Sequence, residues 1–537
     1  MITYATIAAM VGDTSPASNE AYVRGFYSAG DLGGGEFYYD SGSGATVNGG
    51  TIFSSVAGGR WFRVLNGTRV NARWFGAAGD GSTDDTVAIQ AALDFCGTTG
   101  LGLYISKGTY VVAAASSSDP CLAIRYSGAF VEGDGAESII KNKNYSPTSC
   151  MLIIQSLVTQ IQNVCVQNLA LDGNKANQSG TWGGACITVC VYSPSSDKTN
   201  TTLQGLYCHD FYSDNPYGPD ESGGICILGS DAGVYAQDNY YKEDVLVKGC
   251  FCWNNTGWGI GTNANAGVTI ADNFCWGNVT QGITLWNSQD CIVSGNISYD
   301  NGSRAMNLEV CDRIVISNNY FGYSSETCLC MYNSVDITIV GNKLDFGGDD
   351  YTDVALRIIS MNGPSPGYKY RPCQNVLISN NNIRIGINGW AIVSEVHNSQ
   401  PLNREIVIQG NIVISTDNKA IYLQANESRI TGNKLLGAVG VESSSGTVQI
   451  DNNHITWNTY DIPFNLVTIG NCANLMINDN ILEATAGNCD GAICVTQIMT
   501  NTLIAENTTI GSFGTAYPHV RVDSPATTPT IRNMVSW

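Results

Sequence analysis

The most regular feature of the chain is a polar residue set in an apolar run and repeated at a fixed step. Val247-Lys248-Gly249-Cys250-Phe251 aligns with Ile270-Ala271-Asp272-Asn273-Phe274, Val293-Ser294-Gly295-Asn296-Ile297, Ile316-Ser317-Asn318-Asn319-Tyr320 and Val340-Gly341-Asn342-Lys343-Leu344. Cys250, Asn273, Asn296, Asn319 and Asn342 are each 23 residues apart. The register continues more loosely through Asn382, Asn411, Asn433, Asn453, Asn480 and Asn507. A second set, Ile260, Ile283, Met306 and Leu329, keeps the same step, and Thr262, Leu285, Leu308 and Met331 lie two residues further on. Apolar positions two apart mark strands with one face inward. The pattern predicts short strands joined by turns, one coil per repeat. A single coil cannot bury its apolar face, but a stack of coils can. The fold class expected is all-β: a right-handed single-stranded parallel β-helix over residues 116–510.

The asparagine column belongs at turns, where Asn tolerates a left-handed backbone and stacked amides bond from coil to coil. Cys208, Cys252 and Cys275 share another coil position and read as small core residues. Asp290, Arg313 and Asp336, again 23 apart, read as a stabilising charge ladder.

Composition agrees with this architecture. Glycine is 60 of 537 residues and charged residues only 13%, a balance that suits turns and strands more than helices. The formal net charge of −20 argues against nucleic acid and anionic membrane as partners, and favours a neutral or mildly charged glycan over a strongly anionic one. The 19 cysteines show no zinc-like spacing. The expectation is buried thiols formed in reducing cytoplasm, no metal and no cofactor. Met1–Val11 lacks the features of a signal peptide, and no apolar run is long enough for membrane insertion. Export would then occur by lysis or as part of a particle.

Residues 71–115 break the repeat. Trp74-Phe75-Gly76-Ala77-Ala78-Gly79-Asp80-Gly81-Ser82-Thr83-Asp84-Asp85-Thr86 precedes a helical pattern through Ala88, Ile89, Ala92 and Leu93, with Ser82 and Asp85 as the helix-start signal. Strand-like Leu103-Tyr104-Ile105 and Gly108-Thr109-Tyr110-Val111-Val112 follow. Such a helix would cover the open end of a solenoid. Asp80, Asp84 and Asp85 do not have EF-hand spacing.

This segment resembles the start of the pectate-lyase-like β-helix superfamily, as carried by phage tailspikes and polysaccharide depolymerases. Tyr22-Val23-Arg24-Gly25-Phe26-Tyr27, Gly33-Gly34-Gly35-Glu36-Phe37, Asn48-Gly49-Gly50-Thr51 and Gly59-Arg60-Trp61 resemble the small N-terminal module that precedes it in tailspike-type proteins. Leu171-Asp172-Gly173-Asn174 is similar to an early-coil element of the family. The resemblance implies a homotrimer associated with the virion tail and acting on a bacterial capsular or surface polysaccharide. Residues 1–70 would be a module for particle attachment or capping, and 511–537 a short C-terminal segment without a separate trimerisation domain. There is no Gly-His-Gly motif, so the catalytic residues of polygalacturonase relatives do not transfer.

The period also maps a candidate site. If Ile283 and Leu285 face inward, Thr284 and Trp286 face outward. One outer column then reads Asn263, Trp286, Glu309, Tyr332, continuing through Arg357, Glu395, Gln424 and Glu442. Its aromatics suit sugar stacking and its carboxylates suit acid/base chemistry. Glu309 is the first-choice catalytic carboxylate. Its partner is open among Glu395, Asp312, Asp350 and a group from another subunit. Trp286, Tyr332, Arg357, Asn263 and Gln424 are the expected substrate-binding residues. The long inserts at 342–382 and 212–221 would wall the groove. Three functions remain: an endo-acting glycoside hydrolase; a lyase using Arg357, His397 or a lysine as base; and a fibre or adhesin that binds glycan without cutting it.

Overall fold

The computed structural model describes residues 1–146, 148–155, 161–179, 184–190, 199–213, 222–229, 241–242, 244–347, 354–361, 371–386, 389–397, 401–442, 446–457, 464–513, 520–522 and 530–536. The chain divides into two compact units: 1–230 with 241–261, and 231–240 with 262–537.

The first unit begins with a five-stranded sheet. Ile2–Tyr4 runs parallel to Glu20–Val23, and Gly35–Asp40, Arg60–Arg63 and Ile52–Ser54 continue it antiparallel. Alternating Ala21, Val23, Phe37, Phe53 and Trp61 face a small core with Tyr4, Ile7 and Met10. Arg63 is a buried cation without a carboxylate. It donates to the carbonyls of Gly33 (2.8 Å) and Gly50 (3.0 Å) and lies over the rings of Phe37 and Trp74. Asp31 closes the turn after the second strand, accepting from the N–H groups of Phe26, Tyr27, Ser28 and Gly33 at 2.8–2.9 Å.

The helix is Thr86–Thr99, later than the Ser82–Asp85 signal placed it. Asp80–Asp84 is extended instead, and pairs with Gly108–Val112. The competing interaction is local. Asp80 accepts from both the backbone and the hydroxyls of Ser82 and Thr83, which holds this stretch out of the helix. Asp85 instead accepts from the N–H groups of Ala78 and Gly79. Ile89, Ala92, Leu93 and Cys96 form the buried stripe of the helix, at helical spacing. The strands that follow, from Gly102–Ile105 to Gly223–Leu228, pair in parallel, coil on coil.

The second unit has the architecture that the repeat predicts. One coil runs Arg304–Glu309, Asp312–Ser317, Tyr320–Phe321, and the next runs Thr327–Tyr332, Val335–Val340, Lys343–Phe346, all in parallel register. Met306, Leu308, Leu329, Met331, Leu356 and Ile358 fill the interior from one sheet, Ile314, Ile316, Ile337 and Ile339 from the second, and Phe321, Leu344 and Ile383 from the third. The parallel coils extend past residue 510, through Val520–Val522 and Thr530–Arg532. The described residues contain no helix long and apolar enough to cross a membrane.

The asparagine column is an internal ladder. Each side-chain amide of Asn273, Asn296, Asn319, Asn342, Asn381, Asn411, Asn433, Asn453 and Asn480 donates to the next amide oxygen at 2.9–3.0 Å. The backbone N–H of each donates to the same oxygen. The member after Asn342 is Asn381, not Asn382, which is the first residue of the following strand. The left-handed residue is the one before the ladder: Asp272, Gly295, Asn318, Gly341, Asn380 and Gly410 all have positive φ. The ladder residues turn inward because their predecessors make the bend.

The seventeen cysteines whose side chains are described are free thiols. Cys208 and Cys252 are in register and buried. Burial pushes the Cys121 and Cys373 thiols up to about 12, which leaves them unreactive. Arg313 pairs with Asp290 at 2.6 Å, while Asp336 accepts from the amide of Asn375.

Two consequences are measurable. Asn319→Ala removes the acceptor of two buried N–H donors of Asn296, and is expected to cost about 2–3 kcal/mol in chemical denaturation. Asp31 gives a pH signature. Burial opposes its charge, but the four N–H bonds outweigh that, and its carboxyl titrates below the usual value. With the folded pKa depressed, its contribution is present above the unfolded pKa and is lost as pH falls through the folded one. Asp31→Asn should therefore flatten the acid loss of stability of residues 1–70, followed by amide exchange across that module.

Candidate functional site

On the first sheet of the second unit, the last residues of successive strands form an outward row. Trp286 pairs with Glu309 and Glu309 with Tyr332. Asn263 takes the place before Trp286: the N–H after it, on Ala264, bonds the Trp286 carbonyl as the N–H of Asn287 bonds the Glu309 carbonyl. The chain then bends at Ala264, Asn287, Val310 and Asn333, which have φ of 59, 45, 56 and 46°. A β-branched residue is disfavoured in that conformation, so the corner beside Glu309 is strained at Val310.

The row above Tyr332 corrects the sequence reading. Tyr332 pairs with Ile359, and Ile359 with Glu395. Arg357 lies two residues earlier, in a second outward row with Thr284, Asn307, Cys330, Val393 and Tyr422. Counting from one 23-residue repeat to a longer coil hid the offset, because only the inward residues fix the phase. Ser394 pairs with Leu423, which sets Gln424 over Glu395, and Gln424 pairs with Glu442. Asn263, Trp286, Glu309, Tyr332, Glu395, Gln424 and Glu442 thus share one row, and Arg357 flanks it.

The lower half of this face centres on Arg304, which sequence reasoning missed. Its guanidinium pairs with Glu326 at 2.7 Å, donates to the Asn307 amide oxygen at 3.1 Å, and lies 5.2 Å over the Tyr332 ring. Burial disfavours its charge, but Cys330, Tyr332, Glu326 and Glu309 around it more than offset that, and its pKa is raised. Burial likewise pushes the Tyr332 phenol well up. Arg304 opens a strand instead of ending one, so the row that exposed Glu309 could not include it.

The upper half centres on Glu395. Arg357 Nε lies 2.9 Å from its Oε1 and His397 Nε2 lies 3.4 Å from its Oε2. Arg357 therefore pairs with Glu395, not with Glu309. Gln424 is fixed at both ends: its oxygen accepts from Val396 N–H at 3.0 Å and its nitrogen donates to Glu442 at 3.2 Å. Tyr422 stands beside Trp390 with ring centroids 5.5 Å apart. Burial first, then the charge of Glu442, raise its phenol to about 12.

Of the other two expected acids, one lies off the row and one outside the described residues. Asp312 begins the next strand beyond the Val310 corner and pairs with Arg371 at 2.6 Å; Arg371 also donates to the carbonyls of Asn333 and Cys311. Asp312 anchors a corner and is not on the row. Asp350 lies outside the described residues, as do 362–370 of the long insert and 214–221 of the earlier one. In the first unit Asp172, His209 and Asp210 lie close enough together to hold an ion. Lys141 pairs with Asp172 at 2.9 Å, His209 with Asp210 at 2.6 Å, and His209 stacks on Trp253. These contacts already satisfy much of the group.

Comparison with known proteins agrees with this architecture. Residues 3–66 match the phage tail protein small four-stranded beta-sheet domain, and residues 198–346 match the periplasmic copper-binding protein family NosD. The Dettilon tailspike protein superposes with a TM-score of 0.54 at 16% sequence identity, over 70% of this chain and 68% of that one. Mannuronan C5-epimerase AlgE6 of Azotobacter vinelandii is 36% identical over 138 residues, which is 25% of this chain and 16% of the relative. Alginate lyase 7 of the same organism is 36% identical over 118 residues, 21% of this chain and 14% of the relative. The match spans only a small part of each of these relatives. The chain thus matches the phage tail protein small four-stranded beta-sheet domain at residues 3–66 and, after it in sequence, has a parallel β-helix fold like that of the Dettilon tailspike protein.

Proposed function

We propose that the protein is a tailspike-like depolymerase that binds a bacterial surface polysaccharide along the outer row of its second unit and cuts it internally by hydrolysis. One observation carries this reading: from Asn263 to Glu442, a single straight row carries aromatic, amide and carboxylate side chains, interrupted by the buried Ile359. Strands repeat every ~4.8 Å, so the row is roughly 34 Å long and matches an extended glycan chain. Trp286, Tyr332 and Tyr422 offer ring faces, while Asn263, Gln424 and the carboxylates offer hydrogen bonds to hydroxyls.

The charge balance supports hydrolysis. Arg304 and Arg357 each have a carboxylate partner, and Glu309 and Glu442 add two further acids, so acids outnumber the arginines on this face. A uronate chain would meet repulsion there. The second reading is β-elimination on a uronate glycan, with His397 as base and the two guanidinium groups on the sugar carboxylate. The named activities of the epimerase and lyase relatives favour it. Binding without cleavage is the third. The phage-tail module supports a place on the virion tail, with three copies of the chain assembled as the resemblance implies.

Purified chain incubated with a panel of bacterial surface polysaccharides should release new reducing ends from one of them, without the ultraviolet absorbance of an unsaturated sugar. Absorbance would move the case to elimination, and binding without either signal to an adhesin. Trp286→Ala should raise KM about tenfold on the cleaved glycan, the loss of roughly 1.4 kcal/mol of ring stacking. Asp312→Asn should leave kcat unchanged and lower stability by about 1.5–3 kcal/mol, because it removes a charge-assisted bond to Arg371.

A further inference from the structure

Hydrolysis of a glycosidic bond needs two carboxyl groups at a set separation: roughly 5 Å for retention of configuration and 6.5–9.5 Å for inversion. The outer row holds three. Glu309 has aromatic neighbours on the row, Trp286 below and Tyr332 above. Its next acid on the row is Glu395, three coils on and about 14 Å away by strand spacing. Glu395 and Glu442 are only two coils apart, about 9.6 Å between backbones, with Gln424 between them.

We infer that Glu395 and Glu442 form the reacting pair, Glu395 as general base and Glu442 as general acid, and that cleavage inverts the anomeric centre. This rests on the hydrolase reading above and assigns its chemistry. The environments of the two groups differ in the required sense. Glu395 pairs with Arg357 at 2.9 Å and stands 3.4 Å from His397 Nε2, the more polar setting of the two and the one assigned to the base. Glu442 has uncharged companions, the Gln424 amide and the Tyr422 phenol. It is exposed at the row's edge.

The space around Glu442 is kept open by glycine. In the coil above, the neighbouring position is Gly470, and a β-carbon there would come within 3.1 Å of Glu442 Cγ. At Gly440, two residues before Glu442, a β-carbon would come within 3.1 Å of the Tyr422 ring and 3.7 Å of Trp390. Both absences leave a notch with an aromatic floor and a carboxyl wall. Gln424 is tied to Val396 N–H and to Glu442, so it fixes the spacing of the pair.

The step balances with water alone. Glu395 takes a proton from a water whose oxygen bonds to the anomeric carbon. The carbon–oxygen bond to the leaving sugar breaks, its electron pair goes to the leaving oxygen, and that oxygen takes the proton of Glu442. Solvent returns a proton from Glu395 to Glu442. Glu309 then belongs to a binding subsite three coils from the bond that breaks.

The test uses the full chain and the polysaccharide that it cleaves. Glu395→Gln and Glu442→Gln should each lower kcat by about 100-fold or more, with KM close to wild type, and with the melting temperature unchanged in Glu442→Gln and lowered in Glu395→Gln by loss of the Arg357 pair. Glu309→Gln should keep most of its kcat and raise KM. The first product seen by NMR should have the inverted anomer. Wild-type kcat in Glu442→Gln, abolished turnover in Glu309→Gln, or a retained anomer would overturn the pair while leaving hydrolysis in place. Unsaturated ends, or no cleavage of a glycan that the protein binds, would overturn the hydrolase reading and the pair together.

Discussion

Everything on the outer face of the second unit depends on one interaction, the hydrogen bond from each buried asparagine to the amide oxygen of the next. Apolar side chains between coils supply most of the burial energy, but they are tolerant of sliding: Ile and Leu pack acceptably at several offsets. An amide oxygen that must accept two N–H groups from the coil below is not. A slip by one residue would leave both donors buried without an acceptor, at a cost of about 1–3 kcal/mol each. The ladder therefore fixes phase where the hydrophobic core fixes only cohesion.

Phase is what the outer face needs. Side chains alternate inward and outward along a strand, so an outward row stays straight only if every coil keeps the same register. Residues far apart in sequence then come to predictable spacings. Glu395 and Glu442 are separated by the 47-residue path through two coils, yet their distance is set by strand spacing. The coils differ in length between Asn342 and Asn381, yet the strands on either side keep their parallel register. The ends of the strands, at the left-handed corners, are where a side chain can be both outward and rigid.

This division explains what could be read from the sequence. The fold was legible because 23-residue steps recur without interruption from Asn273 to Asn342, and because inward Ile, Leu and Met positions have only one way to alternate. The row from Asn263 to Tyr332 follows from the same arithmetic. It fails where the period fails: after Asn342 the coil lengthens, and Arg357 falls two places from the row assigned to it. Arg304 was invisible because its contacts with Glu326, Asn307 and Tyr332 come from the side chain curling across its own and the next coil, not from periodicity. The helix start moved because Asp80 binds its own neighbours, a local contest that the spacing of Ser82 and Asp85 does not reveal.

The ladder also has a direction. Every amide donates toward the later coil and accepts from the earlier one, so the side-chain dipoles add along the axis, and each bond polarises the next. Such a relay is only as firm as its terminus. At the last amide described, Asn507, the link to the next coil is to the thioether of Met534 at 3.8 Å, a weak acceptor where earlier rungs meet an amide oxygen, while its nitrogen also donates to the carbonyls of Ile477 and Ala505. The coils that hold Glu395 and Glu442 lie several rungs inward from this weakest link.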